Sequence, residues 1–134
     1  MSQQIRILIV DDHPAVREGL AEMISSQADM AVVGVARDGL EAVAFCGELQ
    51  PDVTVLDLRL PKLGGLEVIK TIRRTDARSR FIVMSSFQAD QGQEQIISAG
   101  ASAFLLKETF GDELLAVIRV VHAERDGLPS PAPT

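Results

Sequence analysis

The sequence predicts an α/β protein built on a parallel sheet, and two observations carry that prediction. Five short apolar runs recur, at residues 5–10, 31–36, 53–57, 81–85 and 103–106, with starts 22 to 28 residues apart. The stretches that follow each run carry helical periodicity. Strands alternating with helices of this length are βα units, and such units form a parallel sheet. The units share a length but no sequence signature, so they are not a solenoid repeat.

The elements follow in order. The first run, IRILIV, ends on Asp11 and Asp12. Pro14 suits the first turn of a helix, where its missing N–H costs nothing, and Val16, Leu20, Met23 and Ile24 share one helix face. After the second run, Asp38 and Gly39 open a helix with Leu40, Val43 and Ala44 as its apolar face. The third run, VTVLD, ends on Asp57; Leu60 and Pro61 break it and Gly64 and Gly65 turn the chain into a helix marked by Leu66, Ile69 and Ile72. The fourth run ends Met84, Ser85, Ser86. Residues 88–100, QADQGQEQIISAG, are expected to form a weak fourth helix. Its internal Gly92 costs about 1 kcal/mol relative to Ala, and only Ile96, Ile97 and Ala99 can anchor it before Gly100 stops it. The fifth run leads into Lys107. Asp112 and Glu113 put negative charge at the start of the fifth helix, whose main face is Leu114, Val117, Ile118 and Val121. Leu115, Ala116 and Val120 lie off that face, a width that points to a partner surface. Residues 127–134, GLPSPAPT, read as a linker or frayed tail, leaving 1–126 as one domain.

Composition narrows the function. The net charge is −6 and 46% of residues are hydrophobic. Such an acidic chain binds nucleic acid poorly by itself, since that affinity comes mainly from Lys and Arg on phosphates. One cysteine, Cys46, cannot form an internal disulfide, which suits a reducing compartment. The N-terminal MSQQIRILIV is too short and too quickly acidic for a signal peptide. No apolar run approaches the ~20 residues of a membrane helix. A soluble cytoplasmic domain is expected.

The strand ends carry the chemistry. Asp57 closes an apolar run, either as a reactive carboxylate or as a cap for the following turn. Asp11 and Asp12 are a second acid signal, again with helix capping as the alternative. If the first and third strands are neighbours, three carboxylates meet at one sheet edge. They would not all stay ionised without a cation, and magnesium suits such a hard oxygen set. Ser85 offers a hydroxyl and Lys107 a cation from two further strand ends, although each alone could be an ordinary turn or solvated residue. Together these groups suit a phosphoryl group: metal and lysine neutralise its oxygens, the hydroxyl hydrogen-bonds one, and a carboxylate can be the nucleophile.

DDHPAVREGL, VLDLRLPKLGGLEV, VMSS and GASAFLLKE together resemble the receiver domain of two-component response regulators. The closest likeness is to the LuxR/NarL/FixJ-type subgroup, whose receivers precede a helix-turn-helix. The resemblance covers about residues 5 to 125 and implies a doubly wound five-stranded parallel sheet of order 2-1-3-4-5, the flavodoxin-like (βα)5 receiver fold. It implies Asp57 as phosphoacceptor, charged by a sensor histidine kinase. Mg2+ would be held by Asp12 directly, Asp11 mainly through water, Asp57, and the backbone carbonyl of Arg59. Ser85 matches the switch hydroxyl, Lys107 the site lysine, and Phe104 the switch aromatic that turns inward on activation. Arg59 and Phe87, two residues after Asp57 and Ser85, would flank the path of the hydrolytic water. The resemblance implies a signalling domain rather than an enzyme, promoting only its own phosphotransfer and dephosphorylation. DNA would be reached through a C-terminal domain absent from this chain. A homodimer would use the fifth helix or the face of helix 4, strand 5 and helix 5. This chain departs from the pattern at Gly64, where an acid is common, and at Glu108, where many members have proline.

Two other classes fit less well. A haloacid-dehalogenase-type phosphohydrolase needs an acid two residues after its nucleophile, and that position is Arg59, which cannot act as a general acid. A flavodoxin-like electron carrier needs a phosphate-cradling loop and flavin-stacking aromatics, but DDHPAV is acidic and the chain has no Trp or Tyr. His13 and His122 read as surface residues, neither with a partner at ligand spacing.

Overall fold

Helices and strands alternate as predicted in the computed structural model, which describes residues 4–85, 93–107 and 111–125. The strands are β1 (Ile5–Val10), β2 (Met30–Ala36), β3 (Val53–Asp57), β4 (Arg80–Ser85) and β5 (Ala103–Leu106). The helices are α1 (Pro14–Ser25), α2 (Gly39–Leu49), α3 (Gly65–Thr75), α4 (Gln93–Ala99) and α5 (Asp112–Arg125). The strands pair in parallel in the order β2-β1-β3-β4-β5. Phe87, Glu108 and the 127–134 tail lie outside the described residues, as does the first half of the stretch 88–100.

Side-chain alternation along the strands divides the core. Ile5, Ile7, Ile9, Val53, Val55, Ile82 and Met84 face α1 and α5, meeting Leu20, Ile24, Leu114 and Ile118. Leu8, Val10, Leu56, Phe81 and Val83 face the other helices, meeting Ala42, Val68, Ile69 and Ile96. Covering on both faces explains the near-continuous apolar runs: every residue of β3 is buried.

Three helix faces differ from the sequence reading. In α2 the buried residues are Gly39, Ala42 and Cys46, not Leu40 and Ala44. Leu40 is 55% exposed. The cause is proximity, since a Cβ on Gly39 would lie 1.9 Å from the Leu63 carbonyl oxygen, so α2 starts too close to its neighbour for a large inward side chain. In α4, Ile96 is buried but Ile97 is exposed, leaving one firm anchor. In α5, Leu115 is buried in the core, while Ala116 and Val120 remain exposed off the main face.

The predicted caps form. Pro14 is at the start of α1. The Asp38 carboxylate accepts the Glu41 N–H at 2.8 Å. Gly100 ends α4 at φ +126°, a left-handed conformation that glycine adopts without a side-chain penalty. Arg119 of α5 grips Asp29, before β2, through Nε at 2.7 Å and Nη2 at 2.9 Å. No helix among the described residues is long and apolar enough to cross a membrane.

Candidate functional site at the carboxyl edge of the sheet

Parallel pairing brings the strand-end groups together. Val10 pairs with Leu56, so Asp11 and Asp57 leave neighbouring strands side by side. Asp57 pairs with Met84, which sets Ser85 one residue further along β4. The Lys107 N–H donates to the Ser85 carbonyl at 2.6 Å, fixing the start of the lysine beside it.

The lysine side chain then crosses the edge. Its Nζ lies 2.8 Å from Asp11 Oδ2 and 3.2 Å from Asp57 Oδ2. One cation thus joins the ends of β5, β3 and β1. Asp11 is 2% exposed, and Asp57 and Ser85 are each 6% exposed. Asp12 is exposed. Backbone N–H groups complete the set: Arg59 donates to Asp57 Oδ1 at 3.2 Å, and His13 donates to Asp11 Oδ1 at 2.9 Å.

Burial raises the Asp57 pKa above the ordinary carboxylate value, and the Asp11 charge adds to this; Lys107 and the Arg59 N–H oppose it without cancelling it. For Lys107, burial alone would favour the neutral amine. Hydrogen bonds and charge from Asp11 and Asp57 outweigh that and hold its pKa above the ordinary lysine value. The site is therefore a desolvated carboxylate beside a lysine whose charged form the two acids favour.

The loop after β3 is pinned to α2. Gly39 N donates to the Pro61 carbonyl at 3.2 Å, and Lys62 Nζ lies 3.5 Å from Asp38 Oδ2. Gly65 N returns to the Leu58 carbonyl at 2.9 Å. Phe104 is half-buried, beside Val83 and against the core cluster on the α4 side.

Two neighbours of the acids were not legible as such. His13 carries an exposed imidazole, as expected, yet its Nδ1 lies 3.1 Å from both Asp11 Oδ1 and Asp12 Oδ1, correcting the reading that it has no partner at ligand spacing. Adjacency in DDH was the available signal. Arg17 Nη1 donates to the Asp11 carbonyl at 2.9 Å, one helical turn beyond the pair. Cys46 stands apart, buried 3.6 Å from Thr54 Oγ1, its thiol pushed up to about 11 by burial.

A 2-1-3-4-5 parallel sheet whose carboxyl edge bears acids and a lysine defines a flavodoxin-like domain with a charged strand-end site. The chain belongs to the response regulator receiver domain family, which it matches over residues 7–119. Among curated relatives it is 41% identical, over 126 residues, to the transcriptional regulatory protein LiaR of Bacillus subtilis. That match covers 94% of this chain and 60% of LiaR. The chain spans between about half and three fifths of the curated relatives it matches. Among solved structures, the response regulator domain of Thermotoga maritima CheB is 37% identical, with a TM-score of 0.83, over 90% of this chain and 98% of that one. A LuxR-family two-component response regulator from Aurantimonas sp. SI85-9A1 is 36% identical, with a TM-score of 0.86, over 92% and 88%. The family is one of signalling regulators, and the relatives named here include transcriptional regulators.

Proposed function

We propose that Asp57 accepts a phosphoryl group from a histidine kinase. The observation that carries the reading is the position of Lys107 Nζ, within 3.2 Å of both Asp57 and Asp11. A phosphoryl group on Asp57 would carry its oxygens into reach of that ammonium. The ligand atoms of Asp11, Asp12, His13 and Asp57 lie within 4.8 Å of one another, and burial first, with the Asp11 charge second, raises the Asp57 pKa. This donor set fits a hard divalent cation. Asp12, Asp57 and the Arg59 carbonyl would hold Mg2+, with Asp11 acting mainly through water. When bound, the ion neutralises phosphoryl oxygens and the acids together.

Asp57 attacks phosphorus in line; the P–N bond of the donor phosphohistidine breaks, and the freed imidazole takes up a proton. Desolvation keeps the carboxylate poorly solvated, which favours attack, and the Arg59 N–H orients it. Lys107 balances the charge that the new phosphoryl group brings. Ser85 supplies the hydroxyl that moves to a phosphoryl oxygen, and Phe104 turns inward into the space this opens. The lifetime of the aspartyl phosphate is tuned at Arg59 and Phe87, where an apolar Phe87 cannot orient a water. The receiver fills residues 1–126, works in the cytoplasm, and controls a DNA-binding domain beyond the 127–134 linker. Self-association uses α5 or the α4-β5-α5 face, where Val120 is 58% exposed.

Incubation with acetyl phosphate and Mg2+ tests the reading by intact mass. One phosphoryl group should add to the wild-type chain. Asp57→Asn should take up none at that rate, and EDTA or Asp12→Ala should abolish the reaction. Equal addition to Asp57→Asn would overturn the assignment.

A further inference from the structure

We infer that His13 is a nitrogen ligand of the metal site, and that it tilts the site's preference from Mg2+ toward nitrogen-binding transition ions such as Ni2+. The inference rests on the metal reading above and adds a residue and a selectivity to it.

The imidazole does not cap its helix, and its polar contacts are to the acids of the site itself. His13 is the N-cap residue of α1, yet its side chain makes no capping bond. The ring folds back instead, and Nδ1 comes within 3.1 Å of Asp11 Oδ1 and 3.1 Å of Asp12 Oδ1. Adjacent ligands on an octahedral ion with bonds of about 2.1 Å stand about 3.0 Å apart. Nδ1 therefore already sits at the spacing of a neighbouring ligand to each acid. The other cations leave this side open. Lys107 takes Asp11 Oδ2, and Arg17 is tied to the Asp11 backbone carbonyl. Asp11 Oδ1 also holds the His13 N–H at 2.9 Å, which leaves Asp12 and His13 as the pair turned outward.

Two carboxylate oxygens facing Nδ1 mean that this nitrogen carries a hydrogen when no ion is bound. An ion held by Nδ1 would require the other tautomer: the Nδ1 hydrogen would pass to water and Nε2 would take one up from water, with no net change in protons, leaving the Nδ1 lone pair free to ligate. Oxygen donors alone suit Mg2+, whereas an imidazole nitrogen adds affinity along the series toward Ni2+ and Cu2+. A histidine in an otherwise carboxylate site thus raises transition-ion affinity while adding little for Mg2+.

The test uses the tag-free, metal-stripped chain with Mn2+ as probe. Histidine-selective 15N labelling is combined with electron spin-echo envelope modulation of the bound ion. Directly coordinated histidine nitrogen is expected in wild type, retained in His122→Gln and lost in His13→Asn. Asparagine is a good N-cap, so that substitution leaves the start of α1 satisfied. Calorimetry should show Ni2+ affinity falling by about tenfold or more in His13→Asn, since even outer-shell changes cost about that much, with Mg2+ affinity little changed. Mn2+ bound without a histidine nitrogen signal, or an unaltered Ni2+ to Mg2+ affinity ratio, would overturn the His13 assignment and leave the metal site standing. A wild-type chain that binds neither Mn2+ nor Mg2+ would remove both.

Discussion

At Asp57 burial and the neighbouring Asp11 act against the ionised carboxylate, and Lys107 acts for it. The balance is unfavourable, so without a divalent ion the charge is a burden on the folded state. Asp57→Asn should therefore melt at a higher temperature than wild type in EDTA, and added Mg2+ should raise wild type more than the variant. Calorimetric melts with and without Mg2+ check this; a lower melting temperature for the variant in EDTA would contradict it. The four strand-end residues Asp11, Asp57, Ser85 and Lys107 were legible because a polar group closing an apolar strand has few places to go. His13 and Arg17 were not. Their roles depend on a ring rotamer and on the reach of a guanidinium back past one helical turn, and neither leaves a periodic mark. The switch roles of Ser85 and Phe104 came only from resemblance, since a moving hydroxyl or a turning phenyl ring leaves no mark in strand-end position.

At the scale of elements, α2 shows where large apolar residues mislead. Leu40, Val43 and Ala44 have helical spacing, yet of the three only Val43 packs against the core, and the buried residues are Gly39, Ala42 and Cys46. Helical spacing reports a repeat but not how close the neighbour stands. Here the Leu63 backbone occupies the space any side chain on Gly39 would need. Gly39→Ala should accordingly destabilise by about 1–3 kcal/mol, the cost of forced overpacking, because backbone rather than a flexible side chain must yield. Leu40→Ala should stay within about 0.5 kcal/mol. Urea unfolding of the two variants ranks them, and the reverse order would refute the packing account. The shifted α2 also pulls on the loop that holds Arg59, so Gly39→Ala should weaken Mg2+ binding as well. The α4 boundary was harder to read for a different reason: Ile96 alone is buried, and one anchor over two helical turns gives little amphipathic signal.

For the molecule as a whole, the parallel sheet was legible from the spacing of apolar runs, while the strand order needed the family resemblance, because periodicity does not say which strands are neighbours. Closure of the α1 and α5 side is reinforced by Arg119, which reaches the 27–29 turn of a distant segment. Its hydrogen bond lowers the Asp29 pKa. A depressed carboxylate pKa stabilises above the unfolded value, near about 3.9, and that contribution is lost as pH falls through the folded value. Both side chains are solvent-exposed, so screening keeps the contribution of the pair small. Asp29→Asn should therefore be less stable than wild type at pH 7, with the difference closing in acid. A gap independent of pH would exclude the ion pair as its source.

That same turn is a common landmark for both ends of the described chain. Gln4 hydrogen-bonds the carbonyls of Ala28 and Met30, and α5 passes Asp29 as it runs away from the carboxyl edge. Entry and exit therefore share one pole of the domain, with the acids and lysine at the other. For protein engineering this is the layout of a cassette. Spliced into an exposed loop of a host protein, the domain would present its chemistry outward, and a partner fused at either end would stand clear of the site.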